Sequence, residues 1–264
     1  MAIRTIVVGT NLAESGEEAL LLARLTARST GAALWLVHAI EDEQSRPKCR
    51  QPLERLRRSC EGAGVTTQTS CEHGTPWDVI LRAAVSVDGD LIAVGNPVGS
   101  VGLLGRSLGS TAERLVHQAP CSVVVSCGRL RDDYAGARIV VGIDFSPHSI
   151  EAARWSRDVA AGIEGDVALV HIASEPTIGG LDSGARRRLE ELVVSEGLEP
   201  NTTVRALQGP IGETLCQAVE ELEAQLLFVG SRGQERTRGT TFGSTAQHCL
   251  RHSPVPMLAV RPRA

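Results

Sequence analysis

Short runs of uninterrupted apolar residues alternate along the chain with stretches in which apolar positions recur every three or four residues. In the first half the runs lie near Thr5–Gly9, Ala33–His38, Thr66–Cys71, Leu91–Gly95 and Ser122–Ser126 and predict strands. The periodic stretches near Gly16–Thr30, Pro52–Gly62, Pro76–Val87 and Thr111–His117 predict helices. Strands that are apolar on both sides of the pleat must be covered on both faces, and helical crossovers between them make the sheet parallel. The pattern therefore predicts a doubly wound α/β fold.

The second half repeats the first. Ile6-Val7-Val8-Gly9 returns as Ile139-Val140-Val141-Gly142, Val37-His38 as Val170-His171, Val94-Gly95 as Val229-Gly230, and Gly109-Ser110 as Gly243-Ser244. The offsets are 133 to 135 residues. Two homologous domains follow one another, and the polar stretch Gly128 to Ala137 reads as their linker. The boundary is placed near Asp132, giving domains 1–131 and 132–264.

Ligands of such sheets sit beyond the carboxyl ends of the strands, where the strand order reverses. There the second half carries Gly230, Gly233, Gly243 and Ser244 in the spacing G-x2-G-x9-G-S, between the apolar run Leu226–Val229 and a helix. Glycine lets backbone N–H groups approach an anion, and a helix start adds unsatisfied donors and a positive dipole end. Arg232, Arg236 and Arg238 add charge, and together these features predict a phosphate cradle. Ser244 with Gln247, and Ser110 with Glu113, also read as capping boxes; the two readings are compatible. Asp144, just after the first strand of the second half, faces the same crevice. It serves either to bind ribose hydroxyls or Mg²⁺, or to cap a helix and tighten the turn.

The order VGIDFS, LVHI, the Gly-x2-Gly-x9-Gly-Ser loop and HSPVPMLAV resembles the universal stress protein family. Two copies in one chain resemble its tandem bacterial members. The resemblance covers nearly the whole chain. It implies two tandem doubly wound, five-stranded parallel-sheet domains of the adenine nucleotide alpha hydrolase-like type, paired through their terminal strands as an internal pseudo-dimer. It also implies binding of ATP or a related adenine nucleotide with Mg²⁺ and a regulatory role in stress, with at most slow hydrolysis or self-phosphorylation. By the same resemblance Asp144 lies on the ribose and metal side, the backbone at Ile172 meets adenine, and Gly230, Gly233, Gly243, Ser244 and Thr245 hold phosphates. Nucleotide would then order the Gly230–Ser244 loop.

The first half departs from this pattern. Asn11 stands where the family has Asp, which removes a negative charge from any metal. Gly95-Asn-Pro-Val-Gly99 is one residue too long ahead of Gly99-x9-Gly109-Ser110, and Pro97 lacks a backbone donor. Asn11, Gly99, Gly109 and Ser110 thus form a degenerate site in which weaker nucleotide binding is expected, or none.

Composition narrows the function. The chain has 264 residues, formal charge −4, 42% hydrophobic and 22% charged residues, as a globular protein does. The balanced charge predicts no nucleic-acid or membrane partner. No signal-peptide h-region follows Met1–Arg4, so a cytoplasmic protein is expected. The seven cysteines contain no CxxC pair and fit reduced thiols. Neither Cys71/His73 nor His248/Cys249/His252 supplies four ligands at zinc spacing. No HExxH or Walker A motif occurs, and no catalytic residue is assigned. An ATP-binding stress regulator is therefore the first expectation, and a nucleotide-independent interaction or oligomerisation protein of the same fold the alternative. Homodimerisation through the terminal strands stays open.

Overall fold

Alternation of strand and helix carries through the whole chain, as the computed structural model shows for residues 3–96, 109–126, 133–174, 183–233 and 242–262. These residues form two compact units, one ending at Asp133 and the other beginning at Tyr134. The first contains β1 (Thr5–Gly9), α1 (Glu14–Thr30), β2 (Ala33–Ile40), α2 (Arg46–Gly62), β3 (Thr67–His73), α3 (Pro76–Ser86), β4 (Leu91–Val94), α4 (Ser110–Gln118) and β5 (Ser122–Val125). The second contains β6 (Arg138–Gly142), α5 (Pro147–Ile163), β7 (Asp166–Ala173), α6 (Ser183–Ser195), β8 (Thr202–Gln208), α7 (Ile211–Glu221), β9 (Leu226–Gly230), α8 (Ser244–His252) and β10 (Met257–Val260).

Within the first unit the strands run in the order β3-β2-β1-β4-β5, all parallel. The second has the order β8-β7-β6-β9-β10, again all parallel. Consecutive strand residues point to opposite faces, and Ile6, Val7 and Val8 are all fully buried, as are Ile139, Val140 and Val141. Both faces of the central strands are therefore covered, as the apolar runs require.

The strand starts are held by matching clips. Asp90, buried ahead of β4, accepts from the backbone N–H groups of Arg4 (2.8 Å) and Thr5 (2.9 Å). Ahead of β9, the Gln225 carboxamide oxygen accepts from Arg138 N–H at 2.7 Å. Each clip joins the entry of the central strand to that of the strand beyond the reversal.

Helix α5 shows why the second central strand ends as it does. Ser146 caps it, its hydroxyl accepting from Ser149 N–H at 3.2 Å, and Pro147 occupies the first turn. The start of the helix lies directly on Gly230: a Cβ there would meet His148 Cβ at 2.8 Å and Ser149 N at 2.9 Å. His148 Nδ1 is bonded to Ser231 Oγ at 3.0 Å. Burial holds His148 below the ordinary histidine value, helped by the charges of Arg232 and Arg261 and opposed by the Val260 backbone and Asp144.

Two expectations are corrected. Helix α2 begins at Arg46 and not at Pro52: Pro47 lies in its first turn, and Pro52 lies inside the helix. A 3₁₀ turn, Glu43–Ser45, leads in, with the Asp42 carboxylate accepting from Gln44 N–H at 3.1 Å. Nor are all the cysteines reduced: Cys49 of α2 and Cys71 of β3 form a disulfide, while Cys60, Cys121, Cys216 and Cys249 are free thiols. Spacing along the sequence gave no sign of this pairing because the two residues meet only when α2 packs on β3. No helix among the described residues is long and apolar enough to cross a membrane.

Replacing Asp90 with Ala strands two backbone donors and should lower stability by about 2–3 kcal/mol, read as a shifted urea midpoint. Asp90→Asn keeps an acceptor and should lose less. The His148 shift has a definite sign: the unfolded chain takes up a proton near pH 6.5 that the folded site resists, so stability falls as pH drops through about 6.5. His248, held low by burial and by His252, adds to the same slope. Urea midpoints between pH 5.5 and 7.5 should fall with acidity in the wild type, less steeply in His148→Gln, and least in His148→Gln/His248→Gln.

Candidate functional site

In the second unit the chain crosses from β6 to β7 on one side and returns to β9 on the other, so a crevice opens at the carboxyl ends of β6 and β9. Past β6, Ile143 N–H bonds to Val170 O at 2.8 Å. The Val170 carbonyl thus points toward β6. Backbone groups alternate sides along a strand, so the N–H and C=O of Ile172 point the same way, past the place where pairing with β6 stops. That edge is where the adenine contact was expected. His171 Nδ1 donates to Ile143 O at 2.7 Å, which fixes the ring at the strand end.

Asp144 does turn work. Its Oδ1 accepts from Ser146 N–H at 2.9 Å, closing a tight turn in which Phe145 is left-handed (φ +62°). The other carboxylate oxygen faces Gly233, where a Cβ would come within 2.8 Å of it. Gly233 therefore lets the segment after β9 approach the carboxylate. Phe145 is covered on two sides, by the His171 ring (centroids 5.0 Å apart) and by the Arg188 guanidinium 3.8 Å over its face.

At the start of α8 the capping-box reading fails. The cap is Gly243, its N–H donating to Ser231 O at 2.9 Å and its carbonyl accepting from Gln247 N–H. Ser244 is the first helical residue and makes no side-chain cap bond. In the first unit Gly109 is likewise the cap, so Ser110 does not cap through Glu113. The reason is the extended backbone of the glycines (Gly243 φ −74°, ψ 151°), which sets the helix boundary one residue earlier. In consequence the exposed Ser244 hydroxyl and the N–H groups of Ser244, Thr245 and Ala246 stand at the helix mouth without intrahelical partners.

Gly230, by contrast, is occupied by the start of α5, and its lack of a side chain serves helix–strand packing. Arg236 and Arg238 lie outside the described residues. Sequence reasoning missed His148 and Ser231: Ser231 follows a motif glycine and was legible as a loop hydroxyl, while nothing adjacent to His148 announces its partner.

The first unit builds the same turn from different groups. Asn11 Oδ1 accepts from Ala13 N–H at 3.0 Å, Leu12 is left-handed (φ +60°), and His38 Nδ1 donates to Thr10 O at 2.8 Å. Gly109 N–H is held by the buried Asn96 carboxamide oxygen at 2.9 Å, where the second unit uses a main-chain carbonyl. A cavity of about 260 Å³ lies here, lined by Thr10, Asn11, His38, Ile80, Gly109 and Ser110 among others. Its size was not foreseen for a site with a degenerate motif. Gly99, Pro97 and Arg106 lie outside the described residues.

The sequence model of the universal stress protein family matches residues 42–126 and 137–261. A universal stress protein of Mycolicibacterium smegmatis is 28% identical over 242 residues, which span 86% of this chain and 76% of that protein. Universal stress protein Rv2623 of Mycobacterium tuberculosis is 29% identical over 223 residues, 75% and 73% of the two chains. Among solved structures, a universal stress protein from Archaeoglobus fulgidus superimposes with a TM-score of 0.78 over 98% of both chains at 21% identity, a likeness of fold. With its landmarks repeated in both units and the family model matched in each, the chain belongs to the universal stress protein family.

Proposed function

We propose that the second unit binds an adenine nucleotide, ATP with Mg²⁺, in the crevice between β6 and β9, and that the protein acts in the stress response through conformational or oligomeric change. The observation that carries this reading is the start of α8: Gly243 caps the helix through its backbone, which leaves Ser244 and the first helical N–H groups for an anion. Ser244, Thr245 and Gly243 would hold phosphates, with Gly233 opening the approach. Asp144 would lie toward ribose and metal, and the Ile172 backbone toward the base.

The residues fit both groups. A polyphosphate matches a helix mouth with unpaired donors and Arg232 beside it. Among the described residues no three acidic, histidine or cysteine side chains gather at a point, so these residues offer Mg²⁺ few ligands. That suits an ion held mainly by phosphate oxygens and water with one carboxylate, as Mg²⁺ commonly is. Bound Mg²⁺ would supply charge neutralisation for the phosphates. A second reading applies to the first unit: Asn11 brings no charge and its carbonyl oxygen is committed to Ala13 N–H, which favours a role there that needs no Mg-nucleotide.

Calorimetry of nucleotide-stripped protein with Mg-ATP tests the proposal against a Gly243→Val variant. A Cβ at Gly243 has ordinary room inside the protein, with neighbours at 3.5 Å, so the variant should fold while its side chain crowds the helix mouth. One site per chain, weakened about tenfold or more in the variant (about 1.4 kcal/mol), supports the reading. Two sites would extend it to the first unit. No binding at millimolar ATP, checked by equilibrium dialysis, overturns it and favours the interaction protein.

A further inference from the structure

Helix α2 is poorly anchored by ordinary means. Its sequence, RPKCRQPLERLRRSCEG, is dominated by charge, and only Cys49, Leu53 and Cys60 are buried. The 3₁₀ turn before it buries nothing. Pro52 cannot donate a helical hydrogen bond. The Glu43–Arg46 ion pair is exposed and so contributes little. Strand β3, which α2 packs against, is the edge of its sheet, hydrogen-bonded to β2 alone, with a polar sequence that is only half-buried. Two contacts fasten the first half of α2 to the carboxyl end of β3: the Arg46 guanidinium on the Cys71 carbonyl, and the Cys49–Cys71 disulfide.

The same place adjoins the first-unit crevice. Cys71 stands opposite His38 in the β2–β3 register, and His38 lines the cavity. The second unit has Ala206 opposite His171, so this covalent fastening belongs to the first unit alone.

We propose that Cys49 and Cys71 form a reversible thiol–disulfide couple, a redox-sensing site whose state determines how firmly α2 and the end of β3 close the wall beside the first-unit crevice. The oxidant is a small-molecule disulfide of the glutathione class. Cys71, the more exposed of the two, loses its proton to solvent and its thiolate attacks one sulfur of the oxidant. A Cys71–glutathione bond forms and one glutathione thiolate leaves with the electron pair of the broken bond. Cys49, only 3% exposed, then attacks the Cys71 sulfur as its thiolate, its proton passing to the glutathione thiolate released in the first exchange, and forms the protein disulfide while the second glutathione leaves with the electron pair of the broken bond and takes a proton from solvent. Two cysteines are oxidised, one glutathione disulfide is reduced to two thiols, and the reverse exchange restores the start. Reduction leaves α2 with Leu53, two small thiols and one arginine contact to hold its first half.

The test uses the full chain purified without reductant and equilibrated across a series of glutathione and glutathione disulfide ratios. Free thiols are trapped by alkylation, the Cys49–Cys71 linkage is mapped in peptides, and amide hydrogen exchange is followed on the same samples. The expected result is a linked fraction that titrates reversibly. On reduction, exchange over residues 43–53 and 67–73 should quicken at least tenfold, with the second unit unchanged. A Cys49→Ser/Cys71→Ser variant should match the reduced wild type at every ratio and keep the same far-UV circular dichroism. Two findings would overturn the proposal: Cys49 and Cys71 alkylated at every ratio, or a linked pair whose reduction leaves exchange over residues 43–53 unaltered. Neither readout depends on nucleotide binding by the second unit.

Discussion

In each unit the direction of chain crossing reverses at the central strand, and the geometry of the crevice depends on that reversal. From β1 the chain passes to β2 on one side, and after β3 it comes back to β4 on the other, so the strand order reverses between β1 and β4 and a crevice opens at their carboxyl ends. β6 and β9 stand in the same relation. Every feature of the crevice meets that gap: the turn after the central strand, the histidine bonded to its carbonyl, and the helix mouth after the fourth strand. The buried central strands make the gap rigid, since Ile6 to Val8 and Ile139 to Val141 have no solvent-facing side on which to shift.

The two units solve the same local problems with different chemistry. After the central strand, Asn11 and Asp144 each accept an N–H two residues on, so the turn survives the loss of charge. Where the fourth strand meets the following helix, a buried Asn96 side chain does in one unit what the Ser231 main chain does in the other. Backbone shape is thus common to both units while the electrostatics of the two crevices diverge. Function is expected to divide along the same line, because shape alone supports packing and charge is what a metal-bound phosphate reads.

Most of this architecture was legible in the sequence because it is periodic. Apolar runs of strand length, the offset of 133 to 135 residues and the glycine spacing are local or self-repeating signals, and the strands appear where they were expected. What escaped was decided by single contacts between distant residues. Ser244 and Ser110 resemble caps in sequence, yet the glycine before each takes the extended conformation that begins the helix. Pro52 looks like a helix start, yet the helix begins six residues earlier, with Pro47 in its first turn. The Cys49–Cys71 bond and the His148–Ser231 pair join residues 22 and 83 positions apart, and no spacing rule reaches them. Around the candidate site, the glycine spacing and the end of β6 made Gly233, Gly243 and Asp144 legible as crevice residues, whereas the close packing of α5 on Gly230 left no local signal.

Phe145 carries a further implication. A bulky residue in the left-handed region is unfavourable by about 1 kcal/mol or more, and glycine would relieve that strain, as it would at Leu12 in the first unit. In the second unit the ring lies between the His171 imidazole and the Arg188 guanidinium, so stacking offsets what the backbone loses. Helix α6 is thereby tethered to the rim of the crevice by a cation 3.8 Å over an aromatic face. Contact of that kind depends on proximity to the ring face more than on a bond direction, so the tether does not rest on any single donor–acceptor alignment.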